Sequence, residues 1–280
     1  MNIGAIIITY NPQIKDLFDN ILTYSSQVNQ IVIVDNSTDL LNKSQIRDAC
    51  PNNKIVYLDM KGNKGVATAL NAGFEYVMMN GADWVLTMDQ DSCFVSSIDG
   101  YKSYILNHDV SNLLLLAPIY HFYDLKQECS ETITNLKIAI QSGCLVNVSN
   151  YLKNGSYRED FFIDFVDYEY CLRGNSKKLI LFQIHSVLLK HSLGEKRTGS
   201  FLNFKFNYCS SIPMRYYYVI RNGLKTAFIY KNFNCVLIII KTVVRVLLLE
   251  DNKKKKFSFI LKGVVDSMIF KYGKFSESNK

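Results

Sequence analysis

No stretch of this 280-residue sequence reaches the roughly 18 unbroken apolar residues of a membrane-spanning helix. No secretory signal opens it: Met1-Asn2 leads straight into IGAIIITY, without a basic start or a small-residue cleavage site. The seven cysteines, at 50, 93, 129, 144, 171, 209 and 235, include no CxxC pair, and their number is odd. That argues against a disulfide framework and a zinc site, and a reducing cytoplasm is expected. There is no GxGxxG and no Walker loop, so dinucleotide and P-loop readings find no support. No internal repeat or long linker is visible. Residues 1–230 carry no net charge, with 21 basic and 21 acidic side chains. A nucleic-acid module would show a basic stripe across the fold instead.

What is present is a hydrophobic content of 48% with 20% charged residues, enough for one large core. The whole excess charge of +7 sits in residues 231–280, which hold 11 Lys/Arg and 4 Asp/Glu. A basic and apolar tail points to anionic lipid more than to nucleic acid. The expected organisation is a catalytic domain over 1–230 and a basic amphipathic helical tail over 231–280.

The first third alternates strand and helix patterns. Apolar runs predict strands at Ile3–Thr9, Ile31–Val34, Ile55–Leu58 and Trp84–Met88. Asn11-Pro12 reads as a helix start, followed by Ile14, Leu17, Phe18, Ile21 and Leu22 at helical spacing, and Gly65–Met79 reads as a helix. This predicts an α/β fold with a mainly parallel sheet flanked by helices and a C-terminal helical extension. Further strands are expected at Leu113–Ile119, Ile138–Val146, Phe161–Asp164, Leu179–Ile184 and Val187–Lys190, a helix from Val166 to Arg173, and helix from Pro213 onward.

In a parallel sheet, ligands bind beyond the carboxyl ends of the strands, where Thr9, Asp35, Asp89 and Asp91 should converge. Met-Asp-Gln-Asp-Ser at 88–92 offers two carboxylates for a divalent cation that bridges a diphosphate; a solvated turn would look the same. Asp35 ends the second strand, where a carboxylate can accept from a nucleobase N–H or simply form a turn. Thr9, Tyr10 and Asn11 present a hydroxyl, an aromatic face and an amide. Gly62-Asn63-Lys64-Gly65 precedes a helix, a setting suited to phosphate or ribose. In FIDFVDYEYCLR, Asp164, Asp167 and Glu169 cluster at a helix start, where one could act as a base for a hydroxyl or all could merely favour the helix. His191 could complete a metal site, and Arg215 or Arg221 could neutralise a leaving diphosphate.

In order along the chain, ITYNP, VDNS, GNKGVATALNAG, WVLTMDQDS, QSGCLV, FIDFVDYEYCLR and HSLG resemble glycosyltransferase family 2 with its GT-A, Rossmann-like fold. The resemblance covers about residues 3–225 and is strongest to the rhamnosyltransferase branch. It implies a nucleotide pocket at Thr9, Tyr10, Asn11 and Asp35, and ribose or donor-sugar contacts at Asn63, Gly65 and Asn71. It also implies a diphosphate and Mg²⁺ or Mn²⁺ motif at Asp89, Gln90 and Asp91, with His191 as a further ligand and Arg221 on the diphosphate. Ser142, Gly143, Asp164 and Glu169 would face the acceptor, and Asp167 would be the general base. Val166 stands where the wider family has a first acid. The implied activity is inverting transfer of L-rhamnose from dTDP-rhamnose to a glycan, expected to be lipid-linked and part of a bacterial O-antigen or capsule. The alternative is a UDP-hexose or UDP-N-acetylhexosamine donor. A nucleotidyltransferase would need a Gly-rich basic loop after the first strand, which ITYNPQIKD does not supply. In the tail, Asn234, Lys241, Arg245 and Asn252 share a narrow helix face. This suits a peripheral helix on the inner face of the cell membrane, or one packed in a core.

Overall fold

The computed structural model describes residues 1–50, 54–121, 130–191, 195–201 and 204–276. The chain forms two compact units, Met1–Tyr157 with Tyr170–Ser192, and Arg158–Glu169 with Leu193–Lys280.

The first unit is built on a nine-stranded sheet. Strands β1 (Ile3–Thr9), β2 (Gln30–Asp35), β3 (Ile55–Asp59) and β4 (Trp84–Asp89) run parallel in the order β3-β2-β1-β4. Every residue of β1 is buried, which explains why IGAIIIT shows no alternation: both faces of the strand are covered. Helices α1 (Ile14–Ser25), α2 (Leu40–Asp48) and α3 (Val66–Met79) connect these strands. α3 lies close on β1 because Gly73 has no side chain; a Cβ there would sit 2.5 Å from Ile6 Cγ2.

Beyond β4 the sheet becomes mixed. It continues through β5 (Ser92–Phe94), α4 (Asp99–Asn107), β6 (Leu113–His121), β7 (Ile133–Leu136), β8 (Cys144–Asn147), α5 (Val148–Asn154) and β9 (Ile180–His191). β8 is antiparallel to β4 and β6, β9 is parallel to β6, and β5 and β7 are antiparallel to β9. Parallel pairing joins the first four strands and β6 to β9, and antiparallel pairs link the rest into a mixed sheet. β9 is one strand where two were expected; a register shift opposite Pro118/Ile119 accounts for the apparent break at 185–186. The expected strand at 138–146 is reduced to β8.

The second unit holds the start of α6 (Val166–Ser176), the hairpin β10 (Glu195–Phe201) with β11 (Phe204–Ser210), and helices α7 (Pro213–Tyr230), α8 (Phe233–Leu248) and α9 (Lys253–Met268). Tyr216, Ile220, Ile239, Val246 and Ile260 form its apolar centre, so the tail helices share a core with α7. The expected boundary at 230/231 falls inside this unit. The segment Phe161–Asp164, expected as a strand, is instead a 3-10 turn at Glu159–Phe161 followed by bends.

Candidate active site

The carboxyl ends of β1, β2 and β4 converge as the parallel topology requires. Thr9 pairs with Asp35, and Ile8 with Asp89, in sheet register. Thr9 is buried and donates its hydroxyl to Asp35 Oδ1 at 2.8 Å. Asp35 also accepts from the Ser37 N–H at 2.9 Å and the Tyr57 hydroxyl at 2.8 Å, and is fully buried. Tyr57 was not anticipated; it lies directly across from Ile33 on the neighbouring strand, a placement visible only once β3 pairs with β2. Burial, and then the Asp35 carboxylate, push its phenol well above the usual range, so it remains a donor at neutral pH.

Asn11 does not cap α1. It precedes Pro12, where the right-handed helical region is disfavoured, and it adopts φ 45°. Its side chain accepts from the Thr38 and Asp39 N–H groups, tying the loops after β1 and β2 together. Tyr10 is 46% exposed and keeps its aromatic face available. Asn36, also unanticipated, donates to Gly65 O and accepts from Lys64 N–H, fixing the glycine loop below α3. Asn63 accepts from Gly65 N–H at 3.0 Å, and Gly65 begins α3 at φ 93°, a conformation that favours glycine.

Asp89, Asp91 and His191 bring one ligand atom each within 4.8 Å of one another. The sheet explains how residues a hundred positions apart meet: the short strand after Asp91 pairs with β9, and Ser92 lies opposite His191. His191 Nδ1 is 3.9 Å from Asp91 Oδ1 and 2.7 Å from Ser92 Oγ. Ser142 donates to Ser92 Oγ at 2.8 Å and accepts from Asp89 N–H at 3.1 Å. Gln141 Nε2 donates to Asp89 Oδ1 at 2.5 Å, while its buried Oε1 has no partner. Two carboxylates and an imidazole are a donor set that Mn²⁺ accepts, and the surrounding amide and hydroxyls hold those ligands in place. Gln141 and Ser92 went unmarked in the sequence, although each adjoins a marked residue.

Several of the residues expected to contact ligands also hold the fold together. Gln90 accepts from Tyr10 N–H at 2.7 Å and so bridges β4 to β1. Asn71 spans Tyr157, donating to its carbonyl and accepting from its N–H at 2.9 and 2.8 Å. Gly143 has φ 79° and is packed against Leu189 and Pro118, so it shapes the strand start and has no side chain to offer.

In the second unit, Asp167 lies in the first turn of α6, half-buried, and accepts from Tyr168 N–H at 2.9 Å. Asp164 is bound by both Arg215 Nε and Nη2, at 3.2 and 2.5 Å. Glu169 is buried and accepts from Tyr230 at 2.6 Å. Arg221 is fully buried. Its five N–H donors go to Asn222 Oδ1, the Tyr217 hydroxyl and the carbonyls of Gly273, Asp160 and Phe161. No donor is left for a diphosphate, so the expected role of Arg221 there is corrected.

Residues 5–97 match the family model described as glycosyl transferase family 2. Across 95% of this chain and 94% of the relative, the sequence is 28% identical to the dTDP-rhamnosyl transferase RfbF of Shigella flexneri. The chain is a glycosyltransferase, and it is similar to family 2. Solved structures give the same fold at low identity. The mannosyltransferase PcManGT of Pyrobaculum calidifontis, in complex with GDP-Man and Mn²⁺, superposes with a TM-score of 0.58 at 11% identity, covering 96% of this chain and 88% of that one. S. aureus TarS 1–349 in complex with UDP gives 0.53 at 13%, covering 100% and 74%. GalNAc-T7 with UDP, GalNAc and Mn²⁺ gives 0.56 at 10%; the glycosyltransferase matches it over 68% of its own length and 43% of that chain.

Proposed function

We propose that this glycosyltransferase moves L-rhamnose, with inversion, from dTDP-rhamnose to a hydroxyl of a lipid-linked glycan in bacterial surface polysaccharide synthesis. The near full-length likeness to a dTDP-rhamnosyl transferase carries the donor assignment. Asp89, Asp91 and His191 would hold a divalent cation, which when bound neutralises the departing diphosphate. Tyr10 offers a face for the base, and Asp35 an acceptor for its N–H. Of the three carboxylates near the start of α6, Asp164 is bound by Arg215, Glu169 is buried against Tyr230 and Asp167 is half-buried. The resemblance to the family motif assigns the base to Asp167. Asp167 takes the hydroxyl proton as that oxygen bonds to the anomeric carbon and the bond from that carbon to the diphosphate oxygen breaks. Alignment of the two substrates supplies much of the acceleration.

The C-terminal helices carry the membrane contact in this reading. No helix among the described residues is long and apolar enough to cross a membrane. On α8, Cys235, Ile239, Thr242 and Val246 face inward, while Phe233, Ile240, Val244, Leu247 and Leu248 are exposed on the other side beside Lys241. Such a stripe suits the headgroup boundary of an anionic leaflet at the inner face of the cell membrane.

Calorimetry with dTDP-rhamnose, UDP-glucose and UDP-N-acetylglucosamine, with and without Mn²⁺, tests the donor. Mn²⁺-dependent preference for dTDP-rhamnose is expected; preference for a UDP-sugar would overturn the rhamnose assignment. Asp167→Asn should bind the donor as the parent does and lose release of dTDP. Loss of donor binding in that variant would remove the base assignment.

A further inference from the structure

The turn leading to Asp167 is held in an unfavourable backbone conformation. Phe162, Asp164 and Phe165 have φ of 65°, 59° and 62°. Bulky residues rarely adopt positive φ, and they keep it only where their surroundings leave no alternative. Those surroundings come from α7. Arg221 Nη2 donates to the carbonyls of Asp160 and Phe161, both at 3.1 Å. The Asn222 amide donates to the carbonyls of Phe161, Ile163 and Asp164 at 2.9, 2.8 and 2.9 Å. Asn222 Oδ1 in turn accepts from Arg221 Nε at 2.9 Å, so the two side chains brace each other. Arg215 holds the Asp164 carboxylate from about two turns earlier on the same helix. The Phe165 ring rests over Gly223, where a Cβ would approach Phe165 Cζ to 2.9 Å.

We propose that Arg221, Asn222 and Arg215 form a clamp that imposes this strained turn and thereby sets the position of the Asp167 carboxylate. They are positioning residues; this inference rests on the reading of Asp167 as the base. The chemistry of the clamp follows from what it grips. Within the turn the Phe161 carbonyl accepts from Ile163 N–H at 2.8 Å, whereas the Ile163 and Asp164 carbonyls take the Asn222 amide as donor, and buried carbonyls need donors. A guanidinium supplies five in one rigid plane, which a lysine does not. If the turn relaxes to negative φ, the chain direction changes within two residues of Asp167. A base must lie within hydrogen-bond reach of the proton it removes, so small displacements matter.

Asn222→Asp tests the clamp because it keeps Oδ1 for Arg221 but replaces the amide donors. The readouts are dTDP release from dTDP-rhamnose with water as acceptor, its pH profile, donor Kd, and hydrogen exchange over 161–169. Expected are a turnover lowered at least tenfold, an acid limb that moves, donor Kd and KM within twofold, and faster exchange in the turn. Faster exchange with turnover within twofold would overturn the proposal. So would a turnover loss that only follows weaker donor binding. If Asn222→Asp does not fold, Arg215→Gln, at a half-exposed side chain, decides: turnover should fall severalfold with an unchanged melting temperature, and no change overturns the clamp. Asp167→Asn run in parallel separates the two ideas. Its retention of full turnover removes the base reading, whereas its inactivity beside a fully active Asn222→Asp removes the clamp alone.

Discussion

Asp35 shows how a single carboxylate can be legible in its place and hidden in its surroundings. Its place at the end of β2 follows from the apolar run before it. Its complete burial under Tyr57 depends on strand pairing that no local pattern encodes. Tyr57→Phe removes one of three donors and leaves a buried oxygen needing a partner. A nucleobase N–H would supply it, so the variant should bind dTDP severalfold more tightly by calorimetry, and Asp35→Asn about tenfold more weakly. An unchanged Kd in both would place the base elsewhere. Gln141 belongs to the same class of residue, chosen by geometry and silent in sequence. Its amide steadies Asp89, and loss of such support commonly costs 10–100-fold in metal affinity. Gln141→Leu should therefore bind Mn²⁺ about tenfold or more weakly, measured by titration of the paramagnetic signal.

Among elements, the buried parallel strands were readable because their whole length is apolar, and α3 because a glycine loop precedes it. The strained segment before Asp167 was read as a strand because Phe-Phe-Ile alternates with nothing that signals a turn. Its conformation is imposed from α7, some fifty residues on. The β10–β11 hairpin lies between the strand expected to end at Lys190 and the helix expected from Pro213, a stretch for which the sequence reading assigns no element. Gly143 illustrates a position where the element start demands a residue type. With φ 79° and Leu189 and Pro118 at 2.7 and 2.8 Å from a Cβ, Gly143→Ala should cost about 2–3 kcal/mol by chemical denaturation. On α8, Val244→Glu with Leu247→Glu should abolish co-sedimentation with phosphatidylglycerol vesicles and leave the fold intact by circular dichroism. Undiminished sedimentation would take the lipid contact away from this helix.

At the scale of the molecule, the second unit depends on a buried charge network. Glu250 is enclosed and accepts from Arg245, Lys256 and Ser210 at 2.8, 2.6 and 3.1 Å, and also from Tyr216. Burial alone would raise its carboxyl, but the hydrogen bonds from Lys256, Tyr216 and Arg245 outweigh that and hold it below the usual range. A group depressed in this way stabilises the fold above its unfolded value, about 4.3 for a glutamate. It loses that contribution as pH falls through the folded value. Thermal melts should therefore decline below about pH 4 in the parent and more shallowly in Glu250→Gln. The variant should already be weaker at pH 7, by about 3 kcal/mol, because two cations are left without their counter-ion.

The nine-stranded sheet also has outer strands of only five, three and four residues, at β3, β5 and β7. So short a row of unpaired amides offers little template for another chain to extend. Self-association in solution would then begin from the greasy side of α8, not from the sheet, and would be suppressed by mild detergent. Under the proposed lipid contact, clumping of the purified enzyme would be reversible, and not a first step toward fibrils.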